Sequence, residues 1–316
     1  MKPAEHTLNA DTRALLDLLA NAGGPSLEEM LPADARAFFA AGRDFFARDQ
    51  EQVSSVEDIC VEHQGRSLEM RIYRPVGTAP EMMPGLVYFH GGGWVLGDLD
   101  SQDPLCRKLC NASGVVILSV QYGHAPEAPY PAAVDDASAA FDYICTNATQ
   151  LGLDERRIAV GGESAGGTLA AVVAQTEGRL GATRIRCQLL LYPVTDLSRA
   201  DGQRQPSDGY FVTAKMLRWM IDLYLAGADP ADPRVSPLLE QDLTGLPPAI
   251  MVLCGFDPLL SEGMEYRDRL ADAGVTVTTK LYPGQIHAFL TMDRHILEAH
   301  DAILEIGGLL RQSLSL

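Results

Sequence analysis

Positive charge is scarce in this chain: 25 lysines and arginines stand against 42 acidic residues in 316, a formal charge of −17 at pH 7. So acidic a protein is repelled by phosphate backbones and anionic lipid headgroups, which argues against nucleic acid or a membrane surface as partner and leaves solubility as the simple use of the charge. Long apolar runs are missing too. None approaches the roughly 18 consecutive apolar residues that a membrane span needs. The opening MKPAEHTLNADTRALLDLLA lacks the basic region and continuous apolar stretch of a secretory leader, so a cytoplasmic protein is expected. The six cysteines (Cys60, Cys106, Cys110, Cys145, Cys187, Cys254) form no CxxC pair and no zinc-ligand spacing, and small buried thiols in a reducing compartment are expected instead. Repeats and low-complexity tracts are absent. Neither a metal nor a cofactor is implied.

What is present is apolar material enough for one core, 47% of the residues, in a length that suits one catalytic domain with a cap. The first fifty residues read as helix. Leu15, Leu16, Leu18 and Leu19 cluster on one short helix, and Phe38, Phe39, Phe45 and Phe46 recur at helical spacing on a second. Leu68, Met70 and Ile72 then alternate with Glu69 and Arg71, the period of a half-buried strand, and Val56–Val61 is expected to pair antiparallel with it. Continuous apolar runs follow at Leu86–Phe89, Val115–Val120, Ile158–Val160, Gln188–Tyr192, Ile250–Cys254 and Val275–Leu281. They fit strands buried on both faces of a parallel sheet. Helical patterns near 101–112, 132–149, 165–176, 261–273 and 292–311 intervene, which predicts βαβ units and a doubly wound sheet. Nearly sixty residues separate the fourth and fifth runs, too many for one crossover. They hold an amphipathic helix carrying Met216, Leu217, Met220, Leu223 and Tyr224. The division expected is a helical cap segment over 1–50 and a catalytic domain over 51–316 with a cap insertion at about 198–240.

Chemistry concentrates at Gly162-Glu163-Ser164-Ala165-Gly166, after one apolar run and before a helix. A serine on a tight strand-to-helix turn needs small neighbours, and the helix start aims N–H groups at an oxyanion formed there. A phosphate loop fails on inspection, because Thr168 stands where lysine is required. The second motif, His90-Gly91-Gly92-Gly93-Trp94, ends another run. Three glycines there cost backbone entropy and suit a backbone that must approach an oxyanion closely, with His90 holding the loop. Of seven histidines, His287 follows both the last run, through the turn Tyr282-Pro283-Gly284, and the serine, which gives the chain order of a nucleophile, acid and base on an open α/β sheet. For the acid, Asp257 and Asp196 each follow a run. Pro258 holds Asp257 extended past its strand end and favours it, whereas Asp196 resembles a turn residue.

HGGGW at 90–94, GESAGG at 162–167, GFDPL at 255–259 and GQIHAF at 284–289, with weaker echoes at 122–136 and 232–239, together resemble the hormone-sensitive-lipase family of α/β-hydrolases, the bacterial family IV esterases. The resemblance runs from about residue 55 onward. It implies an eight-stranded, mostly parallel sheet flanked by helices with a helical cap, and an acyl-enzyme mechanism on short-chain esters. It implies Ser164 as nucleophile, His287 as base, Asp257 as acid, and the N–H groups of Gly92, Gly93 and Ala165 as the oxyanion hole, with Gly91 a further candidate. A homodimer is implied by the frequency of dimers in that family. Two positions depart from its pattern: Gly123-His124 replaces Arg-Leu, and Ser261 replaces an acidic residue.

The activity expected is therefore hydrolysis of a small carboxylic ester. Amide, thioester or deacetylase chemistry on the same triad, or a ligand-binding protein that has lost catalysis, are the alternatives. Phe38, Phe39, Trp94, Met216, Trp219 and Met220 are the expected substrate pocket.

Overall fold

Helical spacing of the opening leucines and phenylalanines yields three helices, α1 (Ala10–Ala22), α2 (Pro32–Ala41) and α3 (Arg43–Phe46). The four phenylalanines, expected on one helix, are divided by Gly42 between α2 and α3. Alternating residues then give the antiparallel pair β1 (Ser55–His63) and β2 (Arg66–Arg74), with Ile59 opposite Met70 and Val61 opposite Leu68. The rest follows the predicted alternation: β3 (Met83–Phe89), α4 (Leu99–Ser113), β4 (Val116–Gln121), α5 (Ala132–Thr146), β5 (Leu153–Glu163), α6 (Ala165–Arg179), β6 (Gln188–Leu191), α7 (Ala214–Leu225), β7 (Ala249–Phe256), α8 (Leu260–Asp272), β8 (Val277–Ile286) and α9 (Leu297–Ser313). These elements come from a computed structural model that describes residues 7–48, 50–77, 82–181, 184–199 and 210–315.

The strands form one eight-stranded sheet in the order β1-β2-β4-β3-β5-β6-β7-β8, parallel from β4 to β8 and antiparallel where β2 meets β1 and β4. Both faces are covered. Along β3, Val87 and Phe89 enter a core shared with α5, α6, α7 and α8, while Leu86 and Tyr88 enter one shared with α1, α4 and α9. Burial on two faces is why these strands read as continuous apolar runs rather than alternation.

Two expectations need correction. Tyr282-Pro283-Gly284 is not a turn after the last strand but part of β8, whose pairing with β7 shifts register between Cys254 and Phe256. Proline is tolerated there because β8 is an edge strand with one side unpaired. The thiols are not uniformly buried either: Cys60 is exposed on edge strand β1 and Cys145 half-buried, while the other four are buried, and all six are free.

A clasp joins the chain's first helix to its last strand. Asn9 N–H donates to the Gly284 carbonyl at 3.0 Å, the Asn9 amide donates to Glu298 at 2.8 Å, and the buried Thr12 hydroxyl donates to Gln285 at 2.7 Å. Of the expected insertion at about 198–240, residues 200–209 lie outside the described residues; the remainder holds α7. Among the described residues no helix is long and apolar enough to cross a membrane.

Candidate active site

β5 hands over to α6 through a single residue, Ser164, held at φ 52°, ψ −119°. A non-glycine residue in that region stores strain, which the surrounding structure must impose. It does so by packing: a Cβ on Gly166 would run into the Phe89 carbonyl. The Ser164 N–H donates to the Leu191 carbonyl at 2.9 Å. The turn therefore needs the small residues that flank the serine.

Three side chains meet above this turn. The Ser164 hydroxyl lies 2.9 Å from His287 Nε2, and His287 Nδ1 donates to Asp257 Oδ2 at 2.7 Å. Asp257 Oδ1 in turn accepts the Leu259 N–H at 2.8 Å, which fixes the carboxylate just past the end of β7. His287 and Asp257 are both buried. Burial alone would push the imidazole's pKa down, but the adjacent Asp257 outweighs it, with Glu163 and Glu262 adding, so that His287 lies above the ordinary histidine value. Asp196, the other candidate acid, instead accepts from Ser198 at 2.6 Å and pairs with Arg199 at 3.1 Å. Among the other histidines, His295 meets the Phe45 carbonyl, and His300 is exposed on α9.

The glycine loop follows β3. Gly92 and Gly93 hold φ of 114° and 61°, and the Gly92 carbonyl accepts the N–H groups of Val95 and Leu96, closing a tight turn. Among the described residues, the N–H groups of Gly92, Gly93 and Ala165 donate to no protein acceptor. Gly92 and Gly93 line the same cavity as Ser164, and Ala165 opens the helix that follows it. Such a set of unspent donors beside a nucleophile can hold a developing oxyanion. Gly91 does not border the cavity: its carbonyl accepts from His90 Nδ1 at 2.7 Å. His90 is fully buried, stacks on Tyr122 with centroids 4.3 Å apart, and is pushed by burial down to about 4. It braces the loop as a neutral ring. A guanidinium braces it from outside, since Arg36 of α2 donates to the Val95 carbonyl at 2.8 Å and the Ala125 carbonyl at 2.7 Å.

A cavity of about 250 Å³ opens above Ser164 and His287. Phe38, Phe39, Met216 and Met220 line it. Trp94 and Trp219 do not. Trp94, at φ 61°, turns away from the loop and is buried against Tyr224 with centroids 4.2 Å apart, while Trp219 packs against the core from the next face of α7. Phe46, Phe211 and Leu217 complete walls that the expected set missed. Their helical spacing gave the signal for Phe46 and Leu217, but nothing in the sequence marks Phe211. Met220 also presses on the glycine loop, because a Cβ on Gly93 would run into its Sδ. The two departures lie apart from the triad. The Gly123 N–H donates to Asp136 at 2.9 Å, and the Ser261 hydroxyl accepts from Arg199 at 3.4 Å. Among the described residues no cluster of histidine, cysteine and acidic side chains could hold a metal.

The family model of the alpha/beta hydrolase fold matches residues 86–291. An ethyl acetate hydrolase of Pseudomonas putida is 35% identical over 98% of this chain and 100% of its own length. The carboxylic ester hydrolase LipN of Mycobacterium tuberculosis is 38% identical over 92% of this chain and 82% of its own. Among solved structures, an alpha/beta hydrolase enzyme from the metagenome of Lake Arreo matches with a TM-score of 0.94 at 39% identity, over 97% of this chain and 98% of its own.

Proposed function

This chain belongs to the α/β-hydrolase family, in its hormone-sensitive-lipase-like group of carboxylic ester hydrolases, and from that premise we propose that Ser164, His287 and Asp257 cleave small esters of short acyl chains. The observation that carries this reading is the continuous run of hydrogen bonds from Asp257 through His287 to Ser164 on the floor of an apolar cavity.

In this mechanism neutral His287 takes the Ser164 proton as the hydroxyl oxygen attacks the ester carbonyl. Asp257 holds the tautomer in which Nδ1 carries the proton and stabilises the imidazolium that forms. The carbonyl oxygen becomes an oxyanion held by the N–H groups of Gly92, Gly93 and Ala165. Collapse breaks the bond to the alcohol, which leaves with the proton from His287. Water then attacks the acyl-enzyme by the same steps and frees Ser164.

Residues 10–46 and 210–225 form the cap in this reading, since they supply most of the cavity's apolar wall. Free thiols support a reducing, cytoplasmic setting, and a homodimer is the assembly to look for by light scattering. The test of function is turnover of p-nitrophenyl esters from acetate to palmitate, with an anilide alongside, by wild type and Ser164→Ala. Ester turnover that survives in Ser164→Ala, or an anilide cleaved faster than the esters, would contradict the proposal.

A further inference from the structure

One buried carboxylate takes no part in that mechanism. Glu163 ends β5 beside Ser164, is buried, and has no cation in hydrogen-bonding reach among the described residues. Its Oε2 accepts the Tyr192 hydroxyl at 3.0 Å. Its Oε1 accepts the Gln102 amide at 3.3 Å, and Gln102 accepts the Tyr88 hydroxyl, also at 3.3 Å. An isolated carboxylate in such a place is costly unless something offsets it. Two structures touch it that matter to turnover. On one side lies the oxyanion loop, where a Cβ on Gly91 would stand 2.5 Å from Glu163 Oε1. On the other, the ring of Tyr192 meets His287 edge to face with centroids 4.9 Å apart. The cation that Glu163 lacks at rest is the one the reaction makes, the His287 imidazolium.

We propose that Glu163 is a positioning residue, a second carboxylate that acts with Asp257 to stabilise the protonated base while Tyr192 and Gly91 tie it to the imidazole and the oxyanion loop. The groups facing His287 are Asp257 past β7, Ser164 at the turn, Tyr192 past β6, Glu163 at the end of β5 and Glu262 on α8. Glu163 is thus the one carboxylate among them that reaches the ring through an aromatic contact. Burial raises the carboxyl of Glu163, and the Tyr192 hydroxyl, the charge of His287 and the Gln102 amide counter it. The pull is mutual, since Glu163 also raises His287.

The inference rests on His287 acting as the general base, and the pH dependence of kcat/KM separates the two. Glu163→Gln keeps shape and removes charge. A less favoured imidazolium ionises lower, so the acid limb should move down by roughly 0.5–1 pH unit, and kcat on the plateau should fall while KM changes little. Glu163→Asp keeps the charge, and its limb should stay near the wild-type position even where its shortened side chain lowers kcat. Should Glu163→Gln fail to fold, Tyr192→Phe removes the hydroxyl that favours the ionised carboxylate and should move the limb the same way by less. A wild-type enzyme without an acid limb would overturn the base assignment itself. A limb that is present in wild type but unmoved in Glu163→Gln, or in Tyr192→Phe where that variant alone folds, would overturn only the role of Glu163.

Discussion

Replacing Met220 by alanine should lengthen the acyl chain that the enzyme accepts. Met220 lies on α7 with its side chain against Gly93 and at the cavity wall, so truncation opens space directly above the glycine loop. The cavity of about 250 Å³ is smaller than the roughly 300–1,000 Å³ of sites for drug-sized ligands. A short acyl chain and its alcohol fill it. Losing the methionine side chain beyond Cβ adds room for roughly two methylenes, each worth up to about 0.8 kcal/mol when buried. The octanoate-to-butyrate ratio of kcat/KM should therefore rise by up to about 15-fold. Truncation also costs stability, near the low end of the ~2–5 kcal/mol typical of methionine to alanine because the site already borders open space. The ratio of two esters on one preparation cancels any loss of folded enzyme. Phe38→Ala, at a residue 52% exposed, should move the ratio less. Two results would refute the reasoning: an unchanged ratio in Met220→Ala, or wild type hydrolysing palmitate faster than butyrate.

Ser164→Ala and His287→Ala should each abolish nearly all turnover, and Asp257→Asn should cost about 10⁴ in kcat; a mild Asp257→Asn beside a crippling Asp196→Asn would reverse the acid assignment. Because His287 is raised, the neutral base should appear only above the ordinary histidine pKa of about 6.5, and activity that stays flat down to pH 4 rules out an imidazole base. The same shift has the opposite sign for stability: the contact of His287 with Asp257 stabilises the fold in full below the unfolded histidine value and is lost as pH rises through the folded one. An organophosphate should inactivate with one adduct, on Ser164 by peptide mass spectrometry, while EDTA leaves activity untouched; loss restored by added zinc would sink the metal-free mechanism.

Most of this site was legible because its chemistry is carried by short motifs with fixed local geometry. Gly162 to Gly166 can make a one-residue turn between a strand and a helix, and that turn alone places the serine. The glycines at 91–93 signal a close approach in the same way. Where the prediction failed, the deciding contacts were distant in sequence. Pro283 looked like a chain reversal until the edge position of β8 made it acceptable in a strand. Trp94 sits beside the three glycines in sequence, yet Tyr224, 130 residues later, is what it stacks on. The acid was different: Pro258 already favours Asp257 over Asp196 in the sequence, and Asp257 is the one that lies against His287. Glu163 lies inside the serine motif, but its partners Tyr192 and Gln102 come from distant parts of the chain and only the fold brings them to it.

The clasp between α1 and β8 fixes an order of events during synthesis. The Thr12 hydroxyl is made 273 residues before its acceptor Gln285. Closing that separation in one step from an open chain would cost about 5 kcal/mol of loop entropy. The clasp can therefore close only once β8 has been made, the same strand that brings His287 within reach of Ser164. On the proposed mechanism, a ribosome-bound chain that already displays a finished serine turn still lacks its base and is no hydrolase.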